Sequence, residues 1–266
     1  MTNIVIAILA SEDPKLLERS IKSIDNNKID KFVVCNTKDP RFIKKSQTIA
    51  LRNGCKFIVT SSNGTPGKGK NSLLQFLRAS TYDYMIAIDG DDFFYKNGIN
   101  ELLKIIKEHR PDVLGLINTF GKFNKKIDYL YTIENDTREI MESESILPVF
   151  DFFKKHFPLD VQSRNNFHRL VVFSKEAANL VSFNEELLAA EDMLCSLFVK
   201  KLYQEKKLSF LLHDCTGKNP IYVYDMDDIW GGAIGKYAKS NHKKQTDLWL
   251  DMANALDLKD QPVPII

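Results

Sequence analysis

The chain has 266 residues, 44% hydrophobic and 27% charged, with a formal net charge of +2; this is the balance of a soluble globular protein and is too weakly basic to imply a nucleic-acid partner. No apolar run approaches the roughly 18 residues of a membrane span, and the N-terminus carries neither the basic region nor the cleavage site of a signal peptide, so a cytoplasmic location is expected. The four cysteines, Cys35, Cys55, Cys195 and Cys215, form no C-x-x-C pair, which disfavours both a zinc site and a disulfide framework.

In chain order, "NIVIAILA" (3–10) is a short, β-branched apolar run and reads as a buried strand. Ser11 or Asp13 then caps a helix with Pro14 in its first turn and Leu16, Leu17, Ile21 and Ile24 on one face. "KFVVCNT" (31–37) is a second strand, a helix through 41–54 stops at Gly54, and "CKFIVTSS" (55–62) is a third strand. "NGTPGKGKN" (63–71) reads as a loop, "SLLQFLRAS" (72–80) as a helix and "YMIAID" (84–89) as a fourth strand. Such alternation with short connections predicts an α/β fold, a mostly parallel sheet with helices on both faces. Ligands of these sheets bind outside the carboxyl ends of the strands.

Beyond residue 95 the rhythm changes. A helix over 97–110 ends before Pro111, and "DVLGLINTF" (112–120), "HRLVVFS" (168–174) and "IYVYDM" (221–226) read as strands. Residues 120–165 give no clear pattern. "AAEDMLCSLFVKKLYQ" (189–204) is an amphipathic helix, and the glycine-bearing, basic stretch 227–244 reads as a tail or lid. No linker divides the chain, so we expect one domain over 1–266, with a ligand-binding half to residue 95, an acceptor half over 96–225 and a lid or tail over 226–266.

The fourth strand ends in three carboxylates, Asp89, Asp91 and Asp92, which require a positive partner. A calcium loop of the EF-hand type fails, because its fifth and sixth positions would be Phe93 and Phe94. A P-loop kinase or ATPase is a near miss: Gly64 to Lys70 fits the spacing, but Asn71 stands where a magnesium-ligating hydroxyl belongs. The third reading joins the loop to the strand end. A nucleoside-diphosphate sugar arrives with Mg²⁺ or Mn²⁺, hard cations held by one or two carboxylates and the phosphates, and Lys68 and Lys70 would add positive charge beside them.

The stretch "GTPGKGKNSLLQFLRASTYDYMIAIDGDDFFY" resembles family 2 glycosyltransferases, where a Gly-containing loop and an Asn-started helix lead into a strand ending in Asp-x-Asp-Asp. The resemblance implies the GT-A (Rossmann-like) fold and an inverting transfer of a sugar, with UDP-sugar the expected donor and a divalent cation (Mn or Mg) as cofactor. It assigns the metal and donor ribose to Asp89 and Asp91, with Asp92 beside them. It also implies a donor site including Ala10, Ser11, Glu12, Asn36, Lys68, Lys70, Asn71 and Gly90. "FNEELLAAEDMLCSLFVKK" is similar to the family's Glu-Asp segment, making Asp192 the catalytic base with Glu191 next to it. The chain departs from the family where many members have Pro-x-Tyr-Asn and Asp-Asp: here "ASEDP" and "VVCNTKDP". For a third metal ligand His213, Asp225 and His242 compete. Arg164, His168, Trp230 and Lys236 are candidates for the acceptor side or the lid. The implied acceptor is a saccharide, as in a cell-surface polysaccharide, or a hydroxylated base in viral DNA, for which the basic run Lys236–Lys244 would suit phosphate contacts. A non-catalytic sugar-nucleotide binding module would keep Asp89 and Asp91 without depending on Asp192.

Overall fold

The computed structural model describes residues 2–10, 13–123, 126–129, 131–134, 137–140, 169–215, 220–227, 242–259 and 261–266. Three strand–helix units and a fourth strand open the chain: β1 (Ile4–Ala10), α1 (Pro14–Lys22), β2 (Asp30–Asn36), α2 (Pro40–Arg52), β3 (Lys56–Thr60), α3 (Pro66–Ala79) and β4 (Tyr84–Asp89). Each helix starts where local chemistry dictates. Asp13, Asp39 and Thr65 accept from the first-turn amides Lys15, Arg41 and Lys68, and a proline follows each cap.

The chain continues through β5 (Phe93–Phe94), α4 (Gly98–His109), β6 (Val113–Ile117), β7 (Phe120–Phe123), β8 (Lys126–Tyr129), β9 (Tyr131–Glu134) and β10 (Thr137–Ile140). It ends with β11 (Arg169–Ser174), α5 (Lys175–Leu180), α6 (Glu191–Gln204), β12 (Phe210–Asp214), β13 (Tyr222–Asp225) and α7 (His242–Ala255). The main sheet has the order β12-β6-β11-β4-β1-β2-β3. Its pairings are parallel except at β11, which runs antiparallel to both β4 and β6. A smaller sheet, β5-β13-β7-β8, sits beside the end of β4, and β9 and β10 form a separate antiparallel pair.

The two-residue period of β1 explains the layering. Ile6, Ile8 and Ala10 pack with Leu17, Ile21, Phe42 and Leu102 on one face, whereas Val5, Ala7 and Leu9 pack with Leu73, Leu77, Val199 and Leu202 on the other. Strand order reverses between β1 and β4, and the crevice outside their carboxyl ends is where such a sheet holds ligands.

Two sequence expectations are corrected. Residues 66–71 are helix and not loop, because Thr65 and Pro66 start α3 there. The glycines that suggested a loop serve close packing: a Cβ on Gly67 would lie 1.8 Å from the Asn184 carbonyl oxygen. The stretch read as a tail contains α7, whose Trp249 is fully buried against Leu187, Met193 and Leu197. The last residues pair with β12, Leu212 N donating to the Pro264 carbonyl and Ile266 N to the Leu212 carbonyl. β12 and α5 were not anticipated. Among the described residues, no helix is long and apolar enough to cross a membrane.

Candidate active site

β4 delivers Asp89 to the crevice, and the turn after it is drawn against β1. Gly90 N donates to the Leu9 carbonyl at 2.7 Å, and a Cβ on Gly90 would meet that oxygen at 2.6 Å, so no side chain fits. Asp91 then lines a cleft with Leu9, Ala10, Asp13, Leu17 and Phe42. Asp92 turns inward. It is buried, with its carboxylate accepting from the Tyr222 hydroxyl and from Asp225 N. Burial, and next the Asp91 charge, raise the Asp92 carboxyl well above the ordinary aspartate range.

The positive partner demanded by this strand end is a pair of buried cations. Arg169, at the start of β11, reaches Asp89 with Nη2 2.9 Å from Oδ2. Its guanidinium lies over the rings of Tyr222 at 4.7 Å and Tyr224 at 5.6 Å. Lys70, one turn inside α3, places Nζ 3.7 Å from Asp89, 2.7 Å from Glu191 and 3.8 Å from Asp192. Burial opposes both charges on Asp89 and Lys70, but the partners outweigh it: Arg169 and Lys70 hold Asp89 below its ordinary value, and Asp89, Glu191 and Asp192 hold Lys70 above its own. Sequence reasoning missed Arg169. The available signal was a lone arginine leading the apolar run "RLVVFS", since a charge on a buried strand must be paired.

The Glu191–Asp192 turn opens α6 after Ala190, which is held in the left-handed region at φ 61°. That strained residue is anchored from behind, because its carbonyl accepts Trp249 Nε1–H at 3.1 Å and Leu194 N at 3.1 Å. The two acids divide their roles by exposure. The Glu191 side chain is 5% exposed and serves Lys70, whereas that of Asp192 is 34% exposed and faces the same cleft as Asp89. Burial raises the Glu191 carboxyl, with Lys70 opposing.

The remaining candidates fall into three groups. Asn71 joins α3 to the segment before α6: its amide donates to the Phe183 carbonyl and Glu185 carboxylate and its oxygen accepts from Phe183 N. Lys68 pairs with Glu185 at 3.2 Å, and Asn36 donates to Thr60, Ser61 and Ser72. Asp225 is close to Asp92 but is neutralised by Arg19 and Lys122. His213 sits on β12, three strands from β4 across the sheet. Ser11, Glu12, Arg164, His168, Trp230 and Lys236, and the His242 side chain, lie outside the described residues.

The P-loop reading does not survive this geometry. Its glycine-rich segment must wrap phosphates as a loop, whereas residues 66–71 are helix here and Lys70 is buried and taken up by three carboxylates. As to a metal, no cluster of three or more His, Cys, Asp or Glu side chains suited to one exists among the described residues. Asp89 and Asp92 are committed to protein donors. Asp91 lines the cleft at the ends of β1 and β4, and a single carboxylate together with a diphosphate is a donor set that suits a hard cation.

The sequence model described as glycosyl transferase family 2 matches residues 4–178. Among solved structures, the fold is similar to Staphylococcus aureus TarS 1–349 in complex with UDP, with a TM-score of 0.60 and 16% identity, covering 98% of this chain and 68% of that one. It spans 42% of the S. aureus TarS chain in another structure. Glucosyl-3-phosphoglycerate synthase from Mycobacterium tuberculosis, with Mn²⁺, UDP and phosphoglyceric acid, gives 0.54 and 9% identity over 98% of this chain and 80% of that one. Mannosyltransferase PcManGT from Pyrobaculum calidifontis, with GDP-Man and Mn²⁺, gives 0.52 and 10% over 96% and 73%. No curated protein matches the sequence. At these identities the structural likeness establishes the GT-A fold alone.

Proposed function

The chain belongs to glycosyl transferase family 2, and from that premise we propose that it is a metal-dependent, inverting enzyme that moves a sugar from a nucleoside-diphosphate donor to a saccharide hydroxyl. One observation carries the reading: Asp192, the more exposed acid of its turn, lines one pocket with Asp89 and Lys70 beside the carboxyl end of β4. The donor lies along the ends of β1 and β4, its nucleoside toward Leu9, Ala10 and Phe42 and its diphosphate toward Asp91. UDP-sugars are the first donors to try, since TarS and the phosphoglycerate synthase are described with UDP.

Asp192 takes the proton from the acceptor hydroxyl. The oxygen bonds to the anomeric carbon on the face opposite the diphosphate, whose bond to that carbon breaks, so the configuration inverts. A positioned base of this kind is worth about 10²–10⁴-fold in rate. A divalent cation at Asp91, when bound, supplies Lewis-acid stabilisation of the leaving diphosphate. Asp89 stays ionised under Arg169 and Lys70 and orients the end of β4.

The test is a thermal-shift panel of nucleoside-diphosphate sugars with and without Mn²⁺, run on the wild type and on Asp91→Asn. The reading expects a metal-dependent shift that Asp91→Asn removes. A shift with ATP alone, or a sugar-nucleotide shift indifferent to metal and to Asp91, would contradict it.

A further inference from the structure

We propose that Lys70 is a positioning residue for the transfer: its buried ammonium ties the Asp89 end of β4 to the Glu191–Asp192 turn and so fixes the distance between the donor side and the base side of the cleft. The inference rests on the function proposed above and adds a residue to it. Glu191 and Asp192 belong to α6, and Asp89 belongs to the sheet. Lys70 Nζ stands between them, 2.7 Å from Glu191, 3.7 Å from Asp89 and 3.8 Å from Asp192.

A lysine ammonium has three N–H donors and no acceptor, and here three carboxylates surround it. A lysine serving only to neutralise Glu191 would need the first contact alone. Its own backbone is fixed at both ends of the reach. Thr65 and Pro66 start the helix that carries it, and Asn71, the next residue, is stapled by three hydrogen bonds to 183–185, the segment leading into the Glu191 turn. With the lysine side chain 10% exposed, solvent cannot replace it. Without the ammonium, the Glu191–Asp192 turn would lose its tie to the Asp89 end of β4, which Arg169 alone would then hold, and the base would shift relative to the donor side.

The experiment compares wild type, Lys70→Met/Glu191→Gln, Lys70→Arg and Asp192→Asn by melting temperature, donor affinity from calorimetry, and steady-state transfer. The double variant removes the tight pair as a unit and so avoids an unpaired buried charge. It is expected to melt near the wild type, bind donor with similar affinity and lose about 10–100-fold in kcat, the scale on which small misplacements of reacting groups act. Wild-type kcat in the double variant would overturn the proposal, as would a loss confined to donor KM, which would make Lys70 a donor ligand. Should the double variant not fold, Lys70→Arg decides: the charge is kept and the reach changed, so a lowered kcat supports positioning and an unchanged one refutes it. An inactive Asp192→Asn beside an unimpaired Lys70 variant sinks this inference alone, whereas a fully active Asp192→Asn sinks the assignment of the base and this inference with it.

Discussion

Replacing Arg169 by methionine would strip the strand end of one of its two cations while keeping much of the unbranched stem. The guanidinium sits 2.9 Å from Asp89, is 6% exposed, and covers the rings of Tyr222 and Tyr224. Removing one partner of a buried ion pair costs about 3–5 kcal/mol, because the other charge is left unpaired, and the lost cation–π contacts add about 0.5–2 kcal/mol. At about 2–4 °C per kcal/mol for a chain of this size, the melting temperature should fall by roughly 7–28 °C. Urea melts followed by tryptophan fluorescence, repeated from pH 7 down to pH 3, provide the assay. Asp89 titrates below its ordinary value of 3.8 in the fold. Its pairing is therefore fully present above that value and is lost as pH falls through the lower folded value, so the gap between variant and wild type should narrow on acidification. A loss under about 1 kcal/mol at pH 7, the scale of an exposed pair, would refute the idea that Arg169 is the buried counter-charge of Asp89.

Gly67→Ala should destabilise the chain by about 1–3 kcal/mol or more, measurable in the same melts, because its Cβ would collide with backbone at Asn184. Asp92→Asn should fold, and its stability relative to wild type should improve as pH rises. The raised carboxyl of Asp92 favours the fold while protonated and opposes it once pH climbs through the folded value, so melting curves at pH 5 and 8.5 suffice. Trp249→Phe removes the indole donor to the Ala190 carbonyl. It should cost about 0.5–1.5 kcal/mol for that bond and lower kcat more than donor affinity, read by calorimetry beside turnover.

The first half of the fold was legible because β1 to β4 are short apolar runs separated by capped helices, and patterning of that kind leaves little choice. The acidic positions were equally visible, since Asp89, Asp91 and the Glu191–Asp192 pair stand at element ends where charge needs a reason. Other features depended on tertiary context. Gly67 and Gly69 looked like loop residues because the sequence does not reveal that the Asn184 backbone passes against the first and the Leu9 side chain against the second. Arg169 was overlooked because only the antiparallel course of β11 beside β4 carries it to Asp89, and strand direction is not written in an apolar run. Lys70 was read as a phosphate contact, and its burial between α3 and α6 could not be seen from a "GKGK" string. Trp249 was hidden in a stretch whose lysines dominated the reading, although its one apolar face seats α7 on the turn that bears Asp192.

The central claim is that Asp192 acts as the base for an acceptor hydroxyl beside a donor held at the ends of β1 and β4. Its most direct test is nucleoside-diphosphate release by wild type and Asp192→Asn across a saccharide panel, with donor affinity measured on the same preparations. The account predicts unchanged donor binding and turnover lower by about 10²–10⁴-fold in the variant. Release at the wild-type rate would contradict it.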